Sequence, residues 1–124
     1  MTRGHLLIVI AMMFFSSLAN ASEGQFIFKE LTDYPYVAAK ERATFITTNY
    51  KKIEKNMRVD EVKKILGEPD EIRALYEPIK KNPKIIGYTY WYIIYRKDNN
   101  NTKDESLVRI SFNLAKKVIN IVHW

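Results

Sequence analysis

The side chains that most often carry out catalysis or bind metals are scarce in this chain. Its 124 residues include no cysteine and two histidines, His5 and His123. The lack of cysteine excludes cysteine–histidine catalysis, and so small a histidine count excludes nearly all zinc sites built from several histidines or cysteines. His5 lies in the predicted signal peptide described below. We predict that His123 is a solvent-facing residue at the end of a strand, not a metal ligand.

Pairs of carboxylates are the other common source of acid–base chemistry. The acidic residues form three clusters: Asp60-Glu61, Glu68 with Asp70 and Glu71, and Asp104-Glu105. Two-carboxylate hydrolysis needs groups that face each other across a cleft, and sequence neighbours at turns do not imply that arrangement. The four glycines are too scattered to form a phosphate-binding loop. We therefore predict a protein that is not an enzyme and that holds no cofactor and no metal.

The aromatic residues point to binding instead. Aromatic residues make up 13% of the chain, and a strand predicted over 85–95 is rich in them. Exposed aromatic side chains are favoured at protein interfaces. The candidate partner-binding residues are one side of this strand and the loop before it: Tyr88, Tyr90, Tyr92, Lys80 and Lys81. The alternative is that aromatic residues of segment 22–37 cover the tyrosines.

Two helices precede the predicted strands. Apolar residues spaced by three and four positions predict a helix over about 38–54. A second helix is predicted from Val59 to Leu66, with acidic residues in its first turn. Gly67 and Pro69 end this helix, because glycine accepts a positive φ and proline blocks continuation.

The rest of the chain predicts strands. They span about 71–76, 85–95, 107–113 and 117–124, and the third carries Arg109 and Ser111 on its polar side. Short connections favour antiparallel pairing. The fold class is therefore predicted to be α+β, with two N-terminal helices packed on one face of a 3–4-stranded antiparallel meander. Trp91 is large enough to fill the interface between helices and sheet.

The N-terminus predicts export. Arg3 precedes ten consecutive apolar residues over 6–15, and Ala19-Asn20-Ala21 fits a signal-peptidase site. The apolar run is too short to span a bilayer. We predict a signal peptide over 1–21 that is cleaved after Ala21, an extended or partly disordered lead-in over 22–37, and one domain over 38–124. The exported part would be periplasmic or secreted in a bacterium, with no transmembrane segment and no lipid anchor.

The net charge narrows the class of partner. The chain carries +6 at neutral pH, and loss of Arg3 with the signal peptide lowers this to +5. Basic surfaces recruit nucleic acid, anionic lipid or acidic proteins. Because the lysines are scattered among acidic residues and export makes nucleic acid an unsuitable partner, we predict a protein partner.

The motifs of the C-terminal two-thirds share a pattern with a known domain. The matching segments, in order, are Ile53 to Val62, Leu66-Gly67-Glu68-Pro69, Tyr90-Trp91-Tyr92, Ile110-Ser111-Phe112-Asn113 and Lys117-Val118. Over about residues 50–124 the chain resembles the SmpA/OmlA domain of the BamE outer-membrane assembly lipoproteins. The resemblance implies a helix–helix–sheet fold and a protein-binding role in cell-envelope assembly or maintenance.

Three positions depart from the family pattern. Asn56 replaces a glycine, Arg58 replaces a serine or threonine helix cap, and the lipid-modified cysteine is missing. The same helix–helix–sheet unit also resembles secreted β-lactamase-inhibitor-like domains. That second resemblance implies an inhibitor or immunity-type protein that blocks an enzyme or a toxin.

Overall fold

A computed structural model describes residues 28–100 and 104–124. The predicted signal peptide and its cleavage site lie outside these residues. The elements in chain order are β1 (Tyr36–Val37), α1 (Lys40–Asn49), a 3₁₀ turn (Tyr50–Lys52), α2 (Val59–Leu66), β2 (Glu71–Tyr76), β3 (Ile85–Arg96), β4 (Glu105–Asn113) and β5 (Val118–His123). Every strand pairing is antiparallel. The prediction of an α+β fold is confirmed.

The sheet has one strand more than predicted. β3 is paired with β4 on one side, and β4 is paired with β5. On its other side β3 pairs with β2 along most of its length and with the two-residue β1 near its end. Strand β1 has only two residues, which is too short to show the alternation of apolar and polar residues from which strands are predicted.

Helix α1 is shorter than the sequence predicted. It begins at Lys40 and ends at Asn49, and the next three residues form a 3₁₀ turn. Polar side chains in its second half bond to the helix backbone: Thr47 Oγ1 lies 2.9 Å from the carbonyl oxygen of Ala43, and Asn49 Nδ2 lies 2.7 Å from that of Phe45. Such bonds compete with regular helix geometry, which accounts for the early end of α1.

Helix α2 has the predicted bounds. Its first N–H groups lack a side-chain cap at Arg58, because a guanidinium has no acceptor, and Glu61 Oε1 instead accepts the backbone N–H of Arg58 at 3.1 Å. Gly67 ends the helix at φ +81° and ψ −163°, a conformation that essentially only glycine adopts. Asn56 has φ +72°, a left-handed conformation that asparagine adopts more readily than most residues other than glycine.

The core lies on the tyrosine side of β3. Tyr90 and Tyr92 are 6% and 0% exposed. They share one buried cluster with residues of both helices, of the connection between the helices and of the next two strands: Ile46, Ile53, Val62, Leu66, Val108, Ile110, Phe112 and Val118. The hydroxyl of Tyr92 donates to the carbonyl oxygen of Gly67 at 2.8 Å, so this buried polar group is satisfied.

Two sequence predictions are therefore wrong. Tyr90 and Tyr92 do not form an exposed row, because they pack beneath the helices. Trp91 does not fill the helix–sheet interface, because successive residues of a strand point to opposite faces and its neighbours occupy that interface. Trp91 is half-buried on the other face of the sheet.

Asp70 and Glu71 attach the segment before α1 to the sheet. Asp70 accepts the hydroxyl of Tyr36 at 3.1 Å and the backbone N–H of Ile93 at 2.7 Å, and it pairs with Arg42 of α1 at 3.2 Å. Glu71 Oε2 accepts the N–H of Leu31 at 3.0 Å. Two adjacent carboxylates thus bind the lead-in, α1 and β3 together.

The buried tyrosines predict a loss of stability in alkali. Burial raises the pKa of Tyr88 from 10.0 to about 12, and it also raises the pKa of Tyr90 and of Tyr92. In the unfolded chain these hydroxyls ionise near pH 10. The contribution of these tyrosines to the free energy of unfolding is therefore expected to be constant below pH 10. It is expected to fall as the pH rises from 10 towards 12. Urea unfolding at a series of pH values measures the slope.

The Tyr88→Phe variant is the control for that slope. It removes one ionisable group from the core, so its stability should fall less steeply over the same pH range than that of the wild-type protein. Equal slopes for the two proteins would contradict the assignment of the effect to Tyr88.

Candidate partner-binding face

The face of the sheet opposite the helices is centred on Trp91. Trp91 is paired across the sheet with Glu71 of β2 and with Arg109 of β4. The guanidinium carbons of three arginines, Arg73, Arg96 and Arg109, lie 4.9, 5.5 and 5.4 Å from the centre of its ring. Cations over an indole at these distances are attracted by its π electrons. We call Trp91, Trp124 and these three arginines the Trp91 cluster.

Trp124 closes the cluster on the β5 side. Its ring meets that of Trp91 edge to face, with centroids 6.4 Å apart and planes at 82°. The guanidinium of Arg109 lies 5.5 Å from the centre of the Trp124 ring and so contacts both indoles. The indole N–H of Trp91 donates to Thr89 Oγ1 at 2.7 Å, which fixes the orientation of the ring. The arrangement is that of rigid aromatic groups holding a cation between them.

A buried carboxylate holds two of the three arginines in place. The side chain of Glu71 is fully buried, and its Oε1 lies 2.9 Å from Arg96 Nη1 and 2.8 Å from Arg73 Nη2. Arg96 also donates from Nε to Glu105 at 2.9 Å. Burial by itself would lower the pKa of Arg96, but its hydrogen bonds to Glu71, Tyr34 and Glu105 and the charge of Glu71 outweigh burial and raise it. The positive charge of Arg96 is thus retained inside the protein because it is paired.

Arg109 differs from the other two arginines. Within the described ranges no carboxylate forms an ion pair with it, and its Nε is buried without a hydrogen-bond acceptor. The three arginines around Trp91 face two glutamates, so the cluster has an excess of one positive charge. A buried donor that lacks an acceptor destabilises the protein unless a ligand or solvent supplies one. The Trp91 cluster is therefore suited to contact an anionic group.

A groove runs beside this cluster across the sheet. Its volume is about 470 Å³. It is lined by residues of four strands: Arg73, Ala74, Leu75, Thr89, Trp91, Arg109, Ser111, Ile119 and Asn120. The lining combines two guanidinium groups and one indole with small polar and aliphatic side chains, which suits a carboxylate on an extended chain and offers no general base or nucleophile arrangement.

The structure does not bring the predicted site residues together at this face. Tyr88, Tyr90 and Tyr92 lie on the helix side of β3. Lys80 and Lys81 are exposed in the loop between β2 and β3, and Lys80 pairs with Glu77 at 3.1 Å. None of these five residues lines the groove.

The residues that form the cluster were missed by the sequence analysis as a group. The available signal was the alternation in β4, which places Arg109 and Ser111 on the side opposite the core. Trp91 joins them only through the register of β3 with β4, in which Trp91 is paired with Arg109.

His123 lies where the sequence predicted, exposed at the end of β5, with its ring 4.7 Å from that of Tyr50. Among the described residues no group of three or more histidine, aspartate or glutamate side chains is placed to hold a metal ion. No helix within 28–100 or 104–124 is long and apolar enough to cross a membrane.

Comparison of the chain with models of protein families, with curated proteins and with solved structures gives no match.

Proposed function

We propose that this chain is an exported, non-catalytic protein-binding module of the bacterial cell envelope, periplasmic or secreted, and that the Trp91 cluster is its contact surface. The observation that carries the proposal is the placement of two indoles and of the partly exposed Arg73 and Arg109 on a sheet face to which no described helix contributes. Tryptophan and arginine are the residues most enriched among those that dominate binding energy at protein interfaces.

A role in envelope assembly or maintenance rests on the sequence. The N-terminal apolar segment with its Ala-x-Ala site favours export, and the motifs over 50–124 resemble the BamE-like domain. Two helices followed by an antiparallel meander is the arrangement that this resemblance predicts. The groove beside the Trp91 cluster leaves such a domain a surface for an assembly partner.

A second candidate is a secreted inhibitor or immunity-type protein. The observation that favours it is the rigidity of the cluster, since Glu71 holds Arg73 and Arg96 and Thr89 holds the Trp91 indole. A surface already in its bound conformation loses little entropy on binding, which favours tight one-to-one complexes. The identity of the partner separates the two candidates.

The test is crosslinking in the native envelope followed by mass spectrometry. The wild-type chain is compared with Arg109→Ala, which alters the cluster, and with Arg58→Ala, a control whose side chain is 69% exposed and lies in the ion pair with Asp60. We expect the same crosslinked protein with wild type and Arg58→Ala, and at least about tenfold less of it with Arg109→Ala.

Two results would contradict the proposal. One is the absence of any specific crosslinked protein, and the other is equal recovery with Arg109→Ala. An envelope-assembly component as partner supports the first role, and an enzyme or toxin supports the second.

A further inference from the structure

The outer edge of β5 is open along most of its length. Leu107 and Trp124 exchange both backbone hydrogen bonds, at 2.8 and 3.1 Å, so alternate residues of β5 point towards β4. The backbone groups of Ile121 and His123 point away from it. At the start of the edge the N–H and carbonyl of Val118 bond to residues 57 and 56. Within the described part of the chain no backbone partner lies beyond that point.

The sequence of this edge does not protect it. Exposed edge strands are normally guarded by lysine, proline or a covering element, because their free N–H and carbonyl groups pair readily with another strand. Residues 118–123 (VINIVH) contain no lysine, arginine, acidic residue or proline. Four of the six are β-branched aliphatic residues, which favour strand pairing. The edge is therefore competent to accept a further strand.

The open edge borders the uncompensated charge of the Trp91 cluster. Asn120 and Val122 are paired with Ser111 and Arg109, so these residues share the helix-free face. Neighbouring strands lie about 4.8 Å apart, which puts a strand added to β5 about 10 Å from the backbone of Arg109. An arginine side chain and a glutamate side chain together span that distance.

We propose that an extended segment of a partner protein pairs with the free edge of β5 and carries an acidic side chain that binds the guanidinium of Arg109. This inference rests on the proposed protein-binding function and specifies the kind of partner. Recognition of this kind combines backbone hydrogen bonds for affinity with one side-chain contact for selectivity. A second copy of β5 is a poorer occupant, because residues 118–123 bring no carboxylate to Arg109.

The experiment uses two end-blocked heptapeptides of alternating valine and threonine, one with a central glutamate and the other with glutamine in its place. Binding is followed by heteronuclear NMR of the mature chain. Trp91 and Trp124 are its two tryptophans, so both indole N–H signals report on the site. We expect shifts at these indoles and at the amides of Ile121 and His123, with the glutamate peptide bound about tenfold more tightly.

Two substitutions separate the charge from the edge. Arg109→Gln is expected to bring the affinities for the two peptides to within about twofold of each other, because the charge-assisted contact is lost. His123→Pro is expected to abolish binding of both peptides, since it removes an outward N–H at a position where an edge strand tolerates proline. His123→Ala is the matched control, and it should bind both peptides as the wild-type chain does.

Equal affinity for the two peptides in the wild-type chain would overturn the inference, as would self-association through β5 that His123→Pro removes. A crosslinked envelope partner that depends on Arg109 but binds His123→Pro normally would also overturn the edge contact, while leaving the protein-binding function in place. If no Arg109-dependent partner is found at all, the proposed function itself fails.

Discussion

Replacing Tyr92 with alanine is expected to lower the free energy of unfolding by about 3–5 kcal/mol. Tyr92 is fully buried at the centre of the core between the helices and the sheet, and its ring meets that of Tyr90 edge to face. The substitution leaves a cavity and also removes the hydroxyl that bonds to the carbonyl oxygen of Gly67. Urea unfolding followed by circular dichroism measures the change.

The Tyr92→Phe variant divides this effect into two parts. It keeps the ring and loses only the hydroxyl, so about 1 kcal/mol is expected. Trp91→Ala, one residue away on the half-buried face, should destabilise the fold less than Tyr92→Ala. A larger loss of stability for Trp91→Ala than for Tyr92→Ala would contradict the assignment of the core to the tyrosine side of β3.

Replacing Glu71 with alanine is expected to destabilise the protein by about 3–5 kcal/mol, because it leaves the buried guanidinium of Arg96 without one of its two carboxylates. Glu71 is fully buried and Arg96 is only 5% exposed. The same substitution releases the N–H of Leu31 and the guanidinium of Arg73. Thermal and urea unfolding of the variant give the magnitude.

Two comparisons test the reason for that loss. The triple variant Glu71→Leu, Arg96→Met and Glu105→Gln removes all three charges of this network and should be more stable than Glu71→Ala alone, since no unpaired buried charge stays inside. Asp60→Asn breaks an exposed ion pair with Arg58 and should change stability by less than about 1 kcal/mol. Comparable losses for Asp60→Asn and Glu71→Ala would contradict the importance of burial.

Local signals predicted the elements of this fold well where those signals were strong. Helix α2 has the predicted bounds because Gly67 and Pro69 both oppose a further turn. The start of β3 at Ile85 was predicted correctly from the density of aromatic and β-branched residues. Helix α1 was predicted too long, because its apolar spacing continues to Ile53 while Thr47 and Asn49 bond to their own helix.

The choice of buried face could not be made from the sequence of β3 alone. Both sides of that strand are apolar or aromatic, so the alternation of side chains does not show which side is buried. The decision depends on which side of β4 is polar and on the register of the two strands, which includes an irregularity between Ile93 and Tyr95. A shift of one residue in that register would have placed Tyr92 instead of Trp91 beside Arg109.

The candidate site was still harder to predict, because its members are distant in sequence. Arg73, Trp91 and Arg109 come from three different strands, and Trp124 follows the end of a fourth. Glu71 and Arg96 are 25 residues apart in the chain. In the sequence, Glu71 is one of several acidic residues near a turn and Arg96 is a charged residue at the end of a strand, so nothing indicates that they pair. Only the assembled sheet shows that Arg109 alone among the three arginines lacks a carboxylate.

The carboxylates of Asp70 and Glu71 also bear on the order in which this domain is completed. Their bonds to Tyr36 and Leu31 join residues 34 and 40 positions apart, and the third partner of Asp70 is the N–H of Ile93. Contacts of such separation form slowly, because a long loop has to close first. A chain made from its N-terminus therefore carries the segment around residues 28–39 unattached until residues 69–72 have been synthesised, and β1 cannot pair until β3 follows. The first part of the domain to be synthesised thus has to wait for later strands before it can reach its native position.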